Sequence, residues 1–128
     1  MRKRSEATMG LSRFDFGWLI GIIEADGTFT GKDTRIVIKM TDRDTIVRAA
    51  RLLNTNVNGP YVNNSNDGCI RKDAYVCFVS GKRARSIMKL LRPFMSLRRQ
   101  NQIDILLGSQ WELFEYPRDL LAIREIAA

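Results

Sequence analysis

A chain of 128 residues with 45% hydrophobic and 27% charged side chains has the composition of one folded domain with an adequate core. Its formal net charge of +7 favours polyanionic partners, nucleic acid ahead of a membrane, because no basic amphipathic stretch suits lying on a bilayer. It has no histidine, which excludes Ser-His-Asp and Cys-His nucleophile systems and histidine-based zinc sites, and leaves hard ions on oxygen ligands as the metals it can hold.

The opening MRKRSEATMG is basic and polar, so residues 1–12 are expected to form a flexible arm and residues 13–128 a single domain. No secretory pattern opens the chain, and its longest apolar run is too short to span a bilayer. A cytoplasmic or host-cell DNA compartment is the expected location. The two cysteines fit it: on one strand, Cys69 and Cys77 would stand roughly 27 Å apart, too far to bridge.

The first predicted helix runs from about Phe14 to Ala25 and is ended by Gly27. Gly17, Gly21 and Ala25 recur at every fourth position, a smooth stripe over which a second helix can pack closely. Glu24 and Asp26 sit at the helix C-terminus, where the macrodipole disfavours acids. A local rule broken beside a close-packing surface marks an expected functional site.

Two strands follow, Thr28 to Lys32 and Arg35 to Thr41. In the second, Ile36, Ile38 and Met40 take one face and Arg35, Val37, Lys39 and Thr41 the other. Thr41 to Asp44 has the Thr-x-x-acid pattern of a helix start, and the helix continues through Ile46, Ala50 and Leu53 to near Asn54. Gly59-Pro60 reads as a turn and Tyr61 to Ser65 as a third strand. A fourth strand, Ile70 to Val79, is expected to turn Ile70, Ala74, Val76 and Phe78 inward, and Arg71, Asp73, Tyr75 and Cys77 outward. Ser80 caps a helix carrying Ala84, Ile87, Met88 and Leu91, and Pro93 interrupts it. A helix from about Leu97 to Leu107 follows, and Pro117 opens a last one. The order α-ββ-α-ββ-α plus C-terminal helices makes an α+β domain.

From Leu19 to Gly27 the run LIGIIEADG resembles the LAGLIDADG homing endonuclease motif. Leu19, Gly21, Ile23, Ala25, Asp26 and Gly27 match it, while Ile20, Ile22 and Glu24 are departures of similar character. The resemblance implies an αββαββα core whose four-stranded antiparallel saddle sheet enters the major groove. Carried over by strand position, the DNA contacts are Thr30, Lys32, Arg35, Lys39, Tyr61, Asn63, Arg71, Asp73 and Tyr75. Asp26 matches the family's catalytic acid and metal ligand, with the Ala25 backbone carbonyl as a further ligand and Mg2+ or Mn2+ as the cofactor.

Other positions stay open between two roles. Asp42 aligns with a polar position near the attacking water, yet also lies in a helix-capping sequence. Arg98, in LRPFMSLRRQNQ, matches the family's catalytic lysine, with plain phosphate binding as the competing role. A further cationic position of the family falls on Ile46, and spacing does not choose between Arg43 and Arg48 as its substitute. For Glu24, orientation of the helix end or a salt bridge is preferred to metal ligation. Lys82, Arg83 and Arg85 form either a solvated face or a phosphate contact.

One motif copy implies a homodimer across Gly17, Gly21 and Ala25, acting on a long near-palindromic double-stranded DNA target rather than on a small molecule. The implied activity is metal-dependent phosphodiester hydrolysis. One alternative is a non-cleaving binder on the same scaffold, an intron RNA maturase or a transcription regulator; another is a half-domain that needs a different partner chain.

Overall fold

The computed structural model describes residues 9–31, 33–62 and 73–108. Most of the expected N-terminal arm, Lys32, Asn63 to Lys72 with Cys69 and Arg71, and the helix expected from Pro117 lie outside them.

Helix α1 spans Arg13–Asp26. Ser12 starts it: the Ser12 side chain accepts a hydrogen bond from the Asp15 amide at 3.1 Å, and Asp15 places a favourable charge in the first turn. Phe16, Leu19 and Ile23 form its buried face. The helix stops at Gly27, though not by a left-handed turn, since Gly27 is extended at φ −74° and ψ 152°. A Cβ there would lie 2.5 Å from the Ile23 carbonyl oxygen, so close approach is what requires glycine. The chain passes directly from Asp26 into strand β1, Gly27–Thr30.

Strand β2 is Arg35–Met40, β3 is Asn58–Tyr61 and β4 is Ala74–Ser80. They form one antiparallel sheet in the order β1-β2-β4-β3, with Ile38 opposite Gly27 on one side and Cys77 on the other. Strand β3 begins earlier than expected and takes in Gly59 and Pro60 rather than following them. It is an edge strand, where a proline that cannot donate to the ladder is tolerated.

Helices cover one face of the sheet. Helix α2 is Arg43–Leu53 and α3 is Gly81–Leu91; a 3-10 turn over Arg92–Phe94 leads into α4, Leu97–Leu107. Asp42, not Thr41, takes the N-cap position of α2, and its carboxylate accepts from the Thr45 hydroxyl instead of a backbone amide. Phe16, Leu19 and Ile23 join Ile36, Ile38, Ile46, Leu53, Cys77, Met88, Leu91, Ile103 and Leu107 in one buried core. At about 1.5–3 kcal/mol per buried large apolar side chain, this core is the main stabilising contribution. The architecture is thus α+β, αββαββα followed by α4, as the sequence implies.

The phase of β4 is a correction. Cys77 pairs with Ile38 and Val79 with Ile36, so Tyr75, Cys77 and Val79 face the helices, while Val76 and Phe78 lie on the outer face with Val37 and Lys39. Cys77 is fully buried and Tyr75 packs against the core, so Tyr75 does not stand on the outer face where the sequence reading put it. Ala74/Val76/Phe78 and Tyr75/Cys77/Val79 are almost equally apolar, and alternation alone cannot choose which to bury.

Candidate functional site

The outer face of the sheet presents Thr28, Thr30, Arg35, Val37 and Lys39, with Val76 and Phe78 from β4 and Tyr61 from β3 beside them. Arg35 and Lys39 make it cationic, and its middle is apolar. The Arg35 guanidinium lies 4.7 Å from the Phe78 ring centroid and 3.5 Å from the Asp33 carboxylate, contacts that narrow its orientations. Thr30 is half-buried, Tyr61 is exposed, and Asp73 is exposed just ahead of β4.

At one end of this face an open depression of about 380 Å³ is lined by Asp26, Lys39, Met40, Thr41, Asp42 and Ala74. The fold builds it from two junctions. Asp26 is the last residue of α1, one step beyond the Gly27–Ile38 pair, which places it across from Lys39. Asp42 stands where β2 turns into α2. Asp26, Asp42 and Lys39, from separate elements, therefore line one depression, although Lys39 was expected only as a DNA contact.

Arg98 is outside that lining. It is exposed on the first turn of α4, close enough to Glu24 to act on its charge. Of the two substitutes for the cation expected at Ile46, Arg48 is committed elsewhere: it pairs with Asp15 at 3.3 Å and stacks 4.1 Å from the Trp18 ring. Arg43 is exposed and Ile46 is buried. Arg83 caps α2 by donating to the carbonyls of Leu53 and Asn54, which adds a structural role to the two considered for it.

Glu24 explains how an acid is tolerated at the end of α1. Its carboxylate accepts from the Ser96 amide at 2.5 Å and the Ser96 hydroxyl at 3.1 Å, at the N-terminus of α4. An acid at the wrong end of its own helix is thus at the right end of another. Partial burial pushes its pKa up, but the Ser96 hydrogen bonds and the charges of Arg99 and Arg98 outweigh this and leave it below the usual carboxylate value.

Arg99 is the residue the sequence reading missed. It is 5% exposed and donates to the Gly27 carbonyl at 2.6 Å and the Glu24 carbonyl at 3.1 Å, with its Nε 3.5 Å from the Glu24 carboxylate. A signal for it existed. Arg99, Ile103 and Leu107 recur every fourth residue, so the arginine falls on the buried stripe of α4, where a charge needs partners.

The small-residue stripe of α1 is uncovered. Gly17, Gly21 and Ala25 are exposed, and a Cβ on either glycine would meet no atom within 4 Å. Phe14, on the same side, is 76% exposed.

Among the described residues no three His, Cys, Asp or Glu side chains cluster as a complete metal site. Asp26 and Asp42, two carboxylates on one depression, fit a hard divalent ion that would take its other ligands from water, a phosphate or a second chain. Among the described residues no helix is long and apolar enough to cross a membrane.

A family model described as a LAGLIDADG-like domain matches residues 13–91, more than half of the chain. The match ends before the 3-10 turn and α4, so Arg98 and Arg99 lie beyond it. No curated protein matches the chain.

Proposed function

The chain belongs to the LAGLIDADG-like domain family, in which DNA binding is general and both nucleases and maturase-like proteins occur, and from that premise we propose that it is a homodimeric, site-specific DNA endonuclease. The observation that carries the reading is the position of Asp26. It is exposed at the end of a helix whose small-residue stripe is bare, beside a depression at the end of a cationic sheet face.

Two copies pack through Gly17, Gly21 and Ala25, which brings the two Asp26 residues close to the two-fold axis. The sheets then follow the major groove of two half-sites of a near-palindromic duplex. Arg35 and Lys39 contact phosphates or guanine edges, Thr30 and Tyr61 offer hydroxyls, and Val37, Val76 and Phe78 supply apolar contacts suited to thymine methyls. Lys32, Asn63, Arg71 and Asp73 keep the DNA-contact role the resemblance implies.

Asp26 and the Ala25 carbonyl would hold magnesium or manganese, with Asp42, on the same depression, to orient water. When bound, the ion supplies a Lewis acid for the phosphate and lowers the pKa of a water ligand. Lys39 and Arg98 balance the charge that builds on the phosphate as its bond to the leaving oxygen breaks.

The test starts with a cleavable duplex selected from a randomised near-palindromic library. With magnesium, the wild-type chain should cut both strands. Asp26→Asn keeps the shape but loses the charge, so it should lower cleavage at least about 1,000-fold while specific binding stays within a few-fold. Normal cutting by the variant would remove Asp26 from the chemistry. Specific binding without cutting by the wild type would favour a non-cleaving regulator, and preference for a structured intron RNA would favour a maturase.

A further inference from the structure

We infer that Arg99 is a positioning residue for the metal-facing end of α1, a role that rests on reading Asp26 as a metal ligand. Helix ends fray, and an exposed carboxylate on the last helical residue is only as well placed as the backbone behind it. The last turn of α1 carries no basic residue of its own and two acids, so its stabilising charge has to come from another element.

Arg99 provides it from α4, with all three guanidinium nitrogens in use. Nη2 bridges the carbonyls of Glu24 and Gly27 at 3.1 and 2.6 Å, and Nε reaches the Glu24 carbonyl at 3.4 Å. Nη1 donates to the Gln102 side chain at 3.0 Å, and the Phe29 ring centroid lies 5.3 Å from the guanidinium carbon. The two carbonyls it holds flank Ala25 and Asp26, the pair proposed to face the metal. The clamp therefore grips the peptide on both sides of the ligands without using the Asp26 carboxylate. Glu24 closes the brace by gripping Ser96 at the start of α4, which ties the placement of Asp26 to that of Arg98 two residues further on. A lysine keeps the charge but offers one nitrogen where the fork needs three.

Outer partners that orient metal ligands typically contribute about 10–100-fold to metal affinity. The experiment titrates Mn2+ into the 15N-labelled full chain and reads paramagnetic broadening of the Ala25, Asp26 and Gly27 amide signals, alongside thermal melting. Arg99→Lys should need at least about tenfold more Mn2+ for equal broadening while still melting cooperatively, and Asp26→Asn should lose the broadening altogether. Equal broadening at equal Mn2+ in wild type and Arg99→Lys, with loss in Asp26→Asn, overturns the positioning role and leaves the metal reading intact. No local broadening in the wild type overturns the metal reading and the positioning role with it. Should Arg99→Lys fail to fold, Glu24→Ala, at a less buried position, removes both bonds to Ser96 and the ion pair with Arg99 and so cuts the brace from its other side. A severalfold weaker Mn2+ response in that variant supports the clamp, and an unchanged response overturns it.

Discussion

Two neighbours on β4, Cys77 and Phe78, differ sharply in environment: the thiol is fully buried, while the ring lies half-buried on the outer face under Arg35. Burial pushes the Cys77 thiol up to about 11, so thiolate is scarce near neutral pH. In a Cys69→Ser background, a thiol reagent at pH 8 should leave the native chain unmodified for hours and react within minutes once it is unfolded. Prompt labelling of the native chain would show Cys77 on the outer face and the phase of β4 reversed. The same choice decides whether Tyr75 or Phe78 lies on the outer face proposed to meet DNA.

Helix α1 has one buried face and one bare face. Phe16, Leu19 and Ile23 anchor it in the core, while Gly17 and Gly21 look onto open space. Gly21→Leu therefore has no clash to make within the subunit, and replacing a helical glycine with leucine favours the helix by up to about 1 kcal/mol. Across the proposed two-fold contact the same leucine would insert bulk between two backbones, at a cost of about 1–3 kcal/mol per site. The subunit should fold as well as before, by circular dichroism, while the sedimentation coefficient falls towards that of the monomer and cleavage declines. An unaltered dimer would place the two-fold contact on another surface.

Across the molecule, net charge of +7 is combined with a sheet face bearing Arg35 and Lys39 and helices directed to the other side. If phosphate contacts dominate binding, duplex affinity should fall linearly on a log–log plot against salt, by at least about tenfold between about 50 and about 200 mM. An affinity that barely responds would make the charge excess incidental. Mutating Arg35 or Lys39 to Ala should make the slope shallower, whereas Phe78→Ala should weaken binding with the slope retained. Those two outcomes together would separate the contribution of charge from that of shape.

The order of elements, the first helix to within a residue at each end and the placing of Asp26 at its end were legible because each rests on a local pattern: an apolar face, a small-residue stripe and a glycine stop, whereas the Ser12 cap that starts the helix was seen only in the structure. Helix α4 was legible for the same reason, over the range in which it forms. The inner face of β4 was not, since two apolar triplets competed and only pairing of Cys77 with Ile38 and Val79 with Ile36 resolved them. Nor was the start of β3, where an edge position overrode the turn chemistry of Gly59-Pro60. Arg98 and Arg99 are adjacent and chemically identical, yet one is exposed and the other buried against the end of α1. The rotation of α4 decides that difference, and the rotation is set by where Ile103 and Leu107 find the core. By itself, the sequence determined which elements form and which acid ends the first helix, because hydrogen bonding and apolar periodicity act over a few residues. Only the tertiary structure decided which side chains meet at that acid, because contacts between residues some 72 positions apart depend on how the helices and sheet pack.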